Sequence, residues 1–152
     1  MEARDRAIRY LNARMCSCAQ MKDYLRRKGH EEEEIGPVIE ELKEYNYLDD
    51  LKYARAFIQA GYEKGRGIGR IRRELAQKGV SPETIAFAEE EIEDVPDEFE
   101  MALEIGKSIL EPMDTDGLEW KEREALKGRV ARRLATRGFS TDVIYRVIGK
   151  LL

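Results

Sequence analysis

Apolar residues recur at helical spacing in three sections of the chain, which align on Leu25, Leu75 and Leu134. An apolar residue lies four positions before each leucine, and a glycine lies four positions after it. An isoleucine follows six residues after each glycine, and another aliphatic residue seven further on. Five positions that match in three copies indicate an internal repeat. The other matched residues are Met21, Gly29, Ile35 and Leu42, then Ile71, Gly79, Ile85 and Ile92, then Val130, Gly138, Ile144 and Leu151.

This pattern predicts a pair of helices in each copy. Apolar residues four apart, followed by glycine, are typical of a helix with one buried stripe and a left-handed C-terminal cap. Capping residues mark the helix starts: Ser81 before Pro82, Ser140, and Ser17 with Gln20 as a capping box. A further amphipathic segment precedes each pair, which gives three helices a copy. These segments contain Ala7, Ile8, Leu11 and Met15, then Tyr53, Ala54, Phe57 and Ile58, then Phe99, Ala102, Leu103, Ile105 and Ile109.

The predicted fold is therefore all-α, with three tandem three-helix repeats and about nine helices. No stretch alternates at a period of two, so we predict no sheet. The repeats cover residues 1–48, 49–94 and 97–152, with a break at 94–97 and an inserted loop near 111–117, where Pro, Asp and Gly are frequent. A unit of this size is small for an independent core, so neighbouring repeats are expected to share buried surface in an elongated, curved array.

Composition narrows the class of protein. The chain has 152 residues, 42% hydrophobic and 38% charged, which favours a folded, helix-rich protein. No apolar run is long enough to span a bilayer and no signal-peptide pattern opens the chain, so we expect a cytoplasmic protein without a membrane partner. Cys16 and Cys18 are too close for an unstrained disulfide. With only His30 nearby they offer too few ligands for zinc, so we predict neither metal nor cofactor.

The net charge of −4 hides a strongly uneven distribution. Residues 31–50 hold nine acidic residues and one lysine, and residues 89–104 hold nine acidic and no basic residues. By contrast, residues 55–79 and 121–137 each hold seven basic and two acidic residues. An acidic average is therefore no argument against a phosphate-bearing partner.

Both basic segments include the middle helix of a repeat. In the second copy the arginines lie roughly opposite the apolar stripe of Ile68, Ile71 and Leu75. In the third copy, Arg129 and Arg132 precede the aligned leucine by the same numbers of residues as Arg70 and Arg73 do in the second. Arginine forks suit phosphates and carboxylates, so these residues are candidates for contacts with nucleic acid or with an acidic protein surface. A solvated helix face is the alternative. The candidate partner-binding residues are Arg66, Arg70, Arg72, Arg73, Lys78, Arg129, Arg132 and Arg137.

Enzyme chemistry finds little support in the sequence, and we predict no catalytic residues. No serine or cysteine nucleophile motif is present, and His30 beside Gly29 has the position of a surface turn residue. The glycine-rich segment 65–69 lacks the order of a nucleotide loop and is interpreted as a flexible helix connection. The aromatic residues fall mostly at packing positions, which favours core or inter-repeat packing over base stacking. The residues concerned are Tyr10, Tyr24, Tyr45, Tyr47, Tyr53 and Phe57.

Two motifs resemble the RecX family of bacterial recombination regulators. One is Tyr47-Leu48-Asp49-Asp50 followed by Tyr53-Ala54 and Phe57; the other is Gly67, Arg70-Ile71, Glu74-Leu75 and Lys78-Gly79-Val80. The opening residues from Ala7 to Gly29 and the closing segment Arg137-Gly138-Phe139 also fit, so the resemblance covers nearly the whole chain. Three positions depart from the family pattern: Gly61 replaces an expected arginine, Ile68 a frequent proline, and Asn46 a glycine.

The resemblance implies a modulator of the RecA recombinase, and a monomer is the simpler expectation for an array that lodges in a groove. Proteins of this kind bind RecA–single-stranded-DNA filaments, lodge in the filament groove, and inhibit ATP hydrolysis, strand exchange and co-protease activity. Two other interpretations of the residues stay open at this point. One is a direct nucleic-acid-binding module, because three-helix units can resemble helix-turn-helix domains. The other is a helical scaffold whose arginines are merely solvated.

Overall fold

The computed structural model describes all 152 residues and contains nine α-helices and no β-strand, which confirms the predicted fold class. The inserted loop and the break before the seventh helix lie where the sequence predicted them. The helices are α1 (Ala3–Ala13), α2 (Cys18–Arg27), α3 (Glu32–Glu44), α4 (Asp50–Glu63), α5 (Ile68–Gln77), α6 (Pro82–Glu90), α7 (Glu98–Leu110), α8 (Trp120–Thr136) and α9 (Thr141–Leu151).

Local capping signals set the helix ends. The three repeated glycines have positive φ angles, 92° at Gly29, 83° at Gly79 and 98° at Gly138, as a left-handed cap requires. Asn46 substitutes for glycine in the same conformation, with a φ of 62°. At the start of α2 the capping box is complete, because the Ser17 hydroxyl accepts from the backbone N–H of Gln20 while the Gln20 side chain accepts from that of Ser17.

The chain packs into two compact units. Unit one comprises residues 1–58 and 74–92, and unit two comprises residues 59–73 and 93–152. Helices α4 and α5 therefore each contribute residues to both units, so the second predicted repeat does not form a unit by itself. The repeat boundaries at 48/49 and 94/97 stay a prediction.

Ser17 is the one fully buried polar side chain of unit one, and it bonds to two backbone segments. Besides capping α2, its hydroxyl donates to the carbonyl oxygen of Lys78 at 2.5 Å. The neighbouring Gly79 has no room for a side chain, since a Cβ there would overlap the methyl group of Ala19. The start of α2 and the end of α5 are thus held in direct contact.

We expect Ser17→Ala to lower the free energy of unfolding by about 2 kcal/mol, because it removes the helix cap and leaves the Lys78 carbonyl without its partner. Ser140→Ala is the matched control: Ser140 caps α9 through Val143 N–H but is exposed, so about 1 kcal/mol is expected. Urea unfolding followed by circular dichroism measures both. Equal losses would contradict a role for the second bond.

A polar network joins the start of α1 to that of α3. Arg6 Nε donates to His30 Nε2 at 3.0 Å, which leaves the proton of the neutral ring on Nδ1, 3.1 Å from Glu34 Oε2. The backbone N–H of Ala3 donates to the other Glu34 oxygen at 2.8 Å. This bond, followed by that of His30, lowers the pKa of the Glu34 carboxyl. His30 is therefore a largely covered structural residue, and its prediction as a surface turn residue was wrong.

Other expectations for unit one need smaller corrections. Helix α1 ends at Ala13, so Met15 is exposed and is not part of its apolar stripe. Tyr45 and Tyr47 are also exposed, because the tight left-handed turn at Asn46 directs the chain to the surface there.

Both cysteines are free thiols, and burial raises the pKa of Cys16 to about 11 and that of Cys18 to about 12.

Unit two is built on α7, which packs against α8 and α9. Its core is closed by the turn after α8, where Phe139 is 5% exposed. A cluster of buried aliphatic residues therefore anchors the C-terminal end of α8 and the start of α9. The fully or nearly fully buried members are Ala102, Leu103, Ile109, Leu110, Val130, Leu134, Val143, Ile144 and Val147.

Candidate functional site

An open groove of about 650 Å³ on unit two is lined almost entirely by cationic side chains. Six of its seven lining residues are lysine or arginine, and none is acidic. Such a concentration of positive charge attracts anions with several negative groups in a row. We call it the basic groove; its residues are Lys64, Arg66, Arg70, Arg132, Arg133, Thr136 and Arg137.

Two backbone segments meet to form the basic groove. The start of α5 and the turn before it supply three of the cations, and the last turn of α8 with its C-cap supplies the other three. The backbone N–H of Gly67 donates to the Arg137 carbonyl oxygen at 2.8 Å. A Cβ on Gly67 would lie 2.6 Å from the carbonyl carbon and oxygen of Gly138, so only glycine permits this contact.

Gly138 meets α5 equally closely from the other side. A Cβ there would lie 2.5 Å from the Arg70 backbone nitrogen and closer still to the Arg70 Cβ. Segment 65–69 was predicted to be a flexible connection. Instead, Gly67 is hydrogen-bonded, and Ile68 already opens α5. The two glycines therefore fix Arg70 beside the end of α8.

Two of the departures from the family pattern have structural reasons in unit two. Ile68 occupies the first position of α5 in place of proline, and its N–H donates to Glu98 Oε1 at 2.6 Å, a bond that proline could not make. Gly61 is buried, and a Cβ there would lie 2.7 Å from the Ile71 side chain. An arginine at this position would have to displace Ile71.

Helix ends add to the electrostatics of the basic groove. The Glu98 carboxylate accepts from the first N–H group of α5, at Ile68, and so offsets the partial positive charge of this helix N-terminus. The C-terminus of α8 carries a partial negative charge, which offsets the repulsion among Arg133, Arg137 and their neighbours. The only hydroxyl in the groove, Thr136 Oγ1, donates to the Arg132 carbonyl oxygen at 2.9 Å. This arrangement can bind a polyanion at several points.

The structure brings together only four of the eight candidate residues, Arg66, Arg70, Arg132 and Arg137. Arg129 lines a neighbouring pocket of about 430 Å³, which shares Arg132 with the basic groove and also contains the carboxylates of Asp114 and Glu122.

The other three candidates are not among the residues that line the basic groove. Arg72 and Arg73 are exposed, and Lys78 belongs to unit one, with its Nζ 5.5 Å from the ring centre of Phe57. Matching offsets in two repeats therefore do not place these side chains on one surface.

Sequence reasoning missed three lining residues, Lys64, Arg133 and Thr136. Lys64 and Arg133 lie inside the two basic segments, so local charge marked the segments but not the individual side chains. Proximity to the left-handed glycine that ends α8 is the signal that could have indicated Arg133 and Thr136.

Two family models match the chain. Residues 3–42 match the model described as RecX, first three-helix domain, and residues 49–88 match RecX, second three-helix domain. Together they cover more than half of the sequence. The chain belongs to the RecX family.

Full-length relatives support the assignment to the RecX family. The chain is 33% identical over 150 residues to a regulatory protein RecX of Clostridium botulinum, covering 97% of this chain and 68% of the relative. It is also 33% identical to that of Prosthecochloris aestuarii, with 99% and 94% covered. The crystal structure of RecX from Lactobacillus salivarius shares the fold, with a TM-score of 0.80 at 20% identity over 98% of this chain and 94% of that one.

No helix of the structure combines the length and the apolar character that crossing a membrane requires. Nor does any group of three or more His, Cys, Asp or Glu side chains come together in a way that could hold a metal ion. The basic groove is the cation-lined feature from which a partner can be inferred.

Proposed function

We propose that this chain is a negative modulator of the RecA recombinase, which binds RecA–single-stranded-DNA filaments and inhibits their ATPase, strand exchange and co-protease activity. The observation that carries the proposal is the basic groove, which six cationic side chains line, on a member of a family of regulatory proteins. The proposed partner has the matching chemistry, because a nucleoprotein filament presents phosphates in a regular row.

The phosphate backbone of the filament's DNA is the proposed ligand of the basic groove. Arginine binds phosphate oxygens through paired N–H groups, and such charge-assisted hydrogen bonds are roughly twice as strong as neutral ones. Four of the proposed contacts, Arg66, Arg70, Arg132 and Arg137, follow from the sequence, and Lys64 and Arg133 are added by the structure. We further propose the candidates outside the groove for contacts with the recombinase: Arg72, Arg73, Lys78 and Arg129.

The net charge of −4 favours binding to a recombinase filament rather than to naked DNA. The acidic residues 31–50 and 89–104 repel a free polyanion, while contacts with recombinase protein can add the missing affinity. We propose that the protein acts in the cytoplasm as a monomer without a cofactor, built from three-helix repeats over residues 1–48, 49–94 and 97–152.

The first test is the RecA ATPase on circular single-stranded DNA, with this chain added at substoichiometric amounts. We expect the rate to fall by more than half, because one modulator lodged in a filament affects many subunits. A protein without a basic groove, such as serum albumin at the same concentration, controls for dilution. An unchanged rate at every ratio of chain to recombinase would refute the proposal.

A direct nucleic-acid-binding helical module is the second candidate function, and the same cation-lined groove favours it. It predicts tight binding to naked duplex without recombinase, with a logarithmic salt slope of about −5 if six phosphates are neutralised. The salt dependence of duplex binding therefore distinguishes the two functions.

A further inference from the structure

An open pocket of about 300 Å³ between α8 and α9 adjoins the basic groove. Four of its seven lining residues are alanine or isoleucine, and none is acidic. Arg132 lines both this pocket and the basic groove, so the two meet at this side chain on unit two. We call it the apolar pocket; its residues are Ala131, Arg132, Ala135, Thr141, Ile144, Tyr145 and Ile148.

The register along α8 explains why the basic groove and the apolar pocket lie side by side. Arg133 and Thr136 line the basic groove. Ala131 and Ala135 are one turn apart on the face toward α9, and their small side chains leave the apolar pocket unfilled. Arg132 lies between these two faces and contributes to both.

Tyr145 on α9 presents an aromatic ring at the apolar pocket. The residue is 71% exposed, and none of the ring–ring or cation–ring contacts of the structure involves it. Its ring is therefore accessible to a ligand. The neighbouring Ile144 is buried in the core of unit two, which holds α9 in place while Tyr145 stays exposed.

We propose that Tyr145 stacks against a base of single-stranded nucleic acid whose phosphates lie in the basic groove. The inference rests on the proposed function in one respect, that phosphate is the ligand of the basic groove. It adds the class of strand and a residue that contacts the bases. Arg132 binds the phosphate next to the stacked base, because it is the side chain that the basic groove and the apolar pocket share.

A cationic groove that continues into an apolar pocket with an exposed ring favours a single strand over other anions. In a duplex the bases are paired and stacked, so a base reaches a protein ring only after it is extruded. An acidic protein segment would match the apolar pocket only where an apolar side chain lay beside its carboxylates. In a nucleic-acid strand a base accompanies every phosphate, so a strand of any sequence supplies both groups.

The test is binding of the full chain to a fluorescein-labelled oligothymidine, measured by anisotropy at low salt, where attraction to the basic groove is least screened. We expect Tyr145→Ala to weaken binding about tenfold, in line with the loss of one stacked base. Tyr145→Phe keeps the ring and is expected to bind within a factor of about two of the original chain. Both variants are expected to fold, because the side chain is exposed. Equal losses in the two variants would contradict stacking, since the hydroxyl would then explain the contact.

Phe87→Ala is the matched control. Phe87 is also an exposed ring within a helix, but it belongs to unit one and lines neither the basic groove nor the apolar pocket. We expect this variant to bind oligothymidine as the original chain does. A loss as large as that of Tyr145→Ala would overturn the proposal. So would an equally large effect of Tyr145→Ala on binding to a duplex of the same length.

An abasic strand tests the contact between Tyr145 and the base directly. A strand of the same length with tetrahydrofuran in place of every base keeps the phosphates but cannot stack. We expect the original chain to bind it at least about tenfold more weakly than oligothymidine, and Tyr145→Ala to have no further effect, because a direct contact makes the two changes non-additive. A tenfold effect of Tyr145→Ala on the abasic strand would refute the stacking.

These measurements contain no recombinase, so they are independent of the ATPase test. An unchanged RecA ATPase would refute the proposed function, while a base-dependent effect of Tyr145→Ala would still support this inference. Conversely, full affinity of Tyr145→Ala for oligothymidine would overturn the inference and leave ATPase inhibition standing. A glutamate–tyrosine copolymer that binds more tightly than oligothymidine, with the same dependence on Tyr145, would also overturn it and would indicate an acidic protein as the partner.

Discussion

Reversing one cation on each wall of the basic groove, Arg70→Glu with Arg132→Glu, is expected to abolish inhibition of the RecA ATPase and to weaken filament binding about a hundredfold or more. Each charge-assisted contact is worth roughly 1.5–3 kcal/mol, and two are lost here. The loss is expected to be this large because the new carboxylates repel the phosphates that the neighbouring arginines attract. Titrating the variant against the ATPase on single-stranded DNA measures the effect.

The matched control is Lys121→Glu with Lys150→Glu. Both lysines belong to unit two, are exposed and have no ion-pair partner, so the change in net charge is identical but the basic groove is intact. This control is expected to inhibit nearly as well as the original chain. Similar loss of inhibition in both variants would show that net charge, and not the basic groove, is responsible. Full inhibition by the Arg70→Glu, Arg132→Glu variant would show that these arginines do not bind the filament.

The second large effect is expected from Gly138→Ala, which we predict to lower the free energy of unfolding by about 3 kcal/mol or more. The substitution forces alanine into a left-handed conformation, and it also drives a methyl group into the Arg70 backbone. Movement of the start of α5 away from the end of α8 relieves the overlap, so the basic groove is expected to lose anion affinity as well. Urea unfolding by circular dichroism measures the stability.

Substitutions at two other glycines distinguish the cost of the left-handed conformation from the cost of the steric overlap with Arg70. Gly29 has a similar φ of 92° but nothing within 4 Å of its Cβ position, so Gly29→Ala is expected to cost only about 1 kcal/mol. Gly149, within α9, has an ordinary φ and open space, so Gly149→Ala is expected to stabilise the chain by about 0.5 kcal/mol. A loss at Gly138 no greater than that at Gly29 would contradict the tight contact with Arg70.

The helices and their caps were predictable because they depend on residues close together in the chain. Ser17 and Gln20 are close enough in the sequence to form a capping box once a helix begins at Cys18. Gly79 ends α5 because it tolerates a positive φ. The prediction for His30 was wrong because the burial of its side chain depends on a residue far away in the sequence. Its covering partner Arg6 lies 24 residues away, and nothing in the local pattern indicates their contact.

The candidate site was predictable only as two basic segments. Repeat symmetry grouped Arg70 with Arg73 and Arg129 with Arg132, but the basic groove takes one residue from each pair. The reason is that helical periodicity defines the face of a single helix, while a groove depends on which faces of two helices meet. In unit two that meeting is decided by the contact between Gly67 and Gly138.

The sequence by itself determined the all-α fold, about nine helices with most of their caps, and the family, since capping, apolar periodicity and motif spacing are all properties of neighbouring residues. Only the tertiary structure decided which cations converge. It added Lys64 and Arg133 to the basic groove, and it placed the ring of Tyr10 on α1 against that of Tyr24 on α2. The physical reason is the same in both cases: charge and aromatic character are encoded residue by residue, whereas their convergence depends on backbone contacts between segments that are distant along the chain.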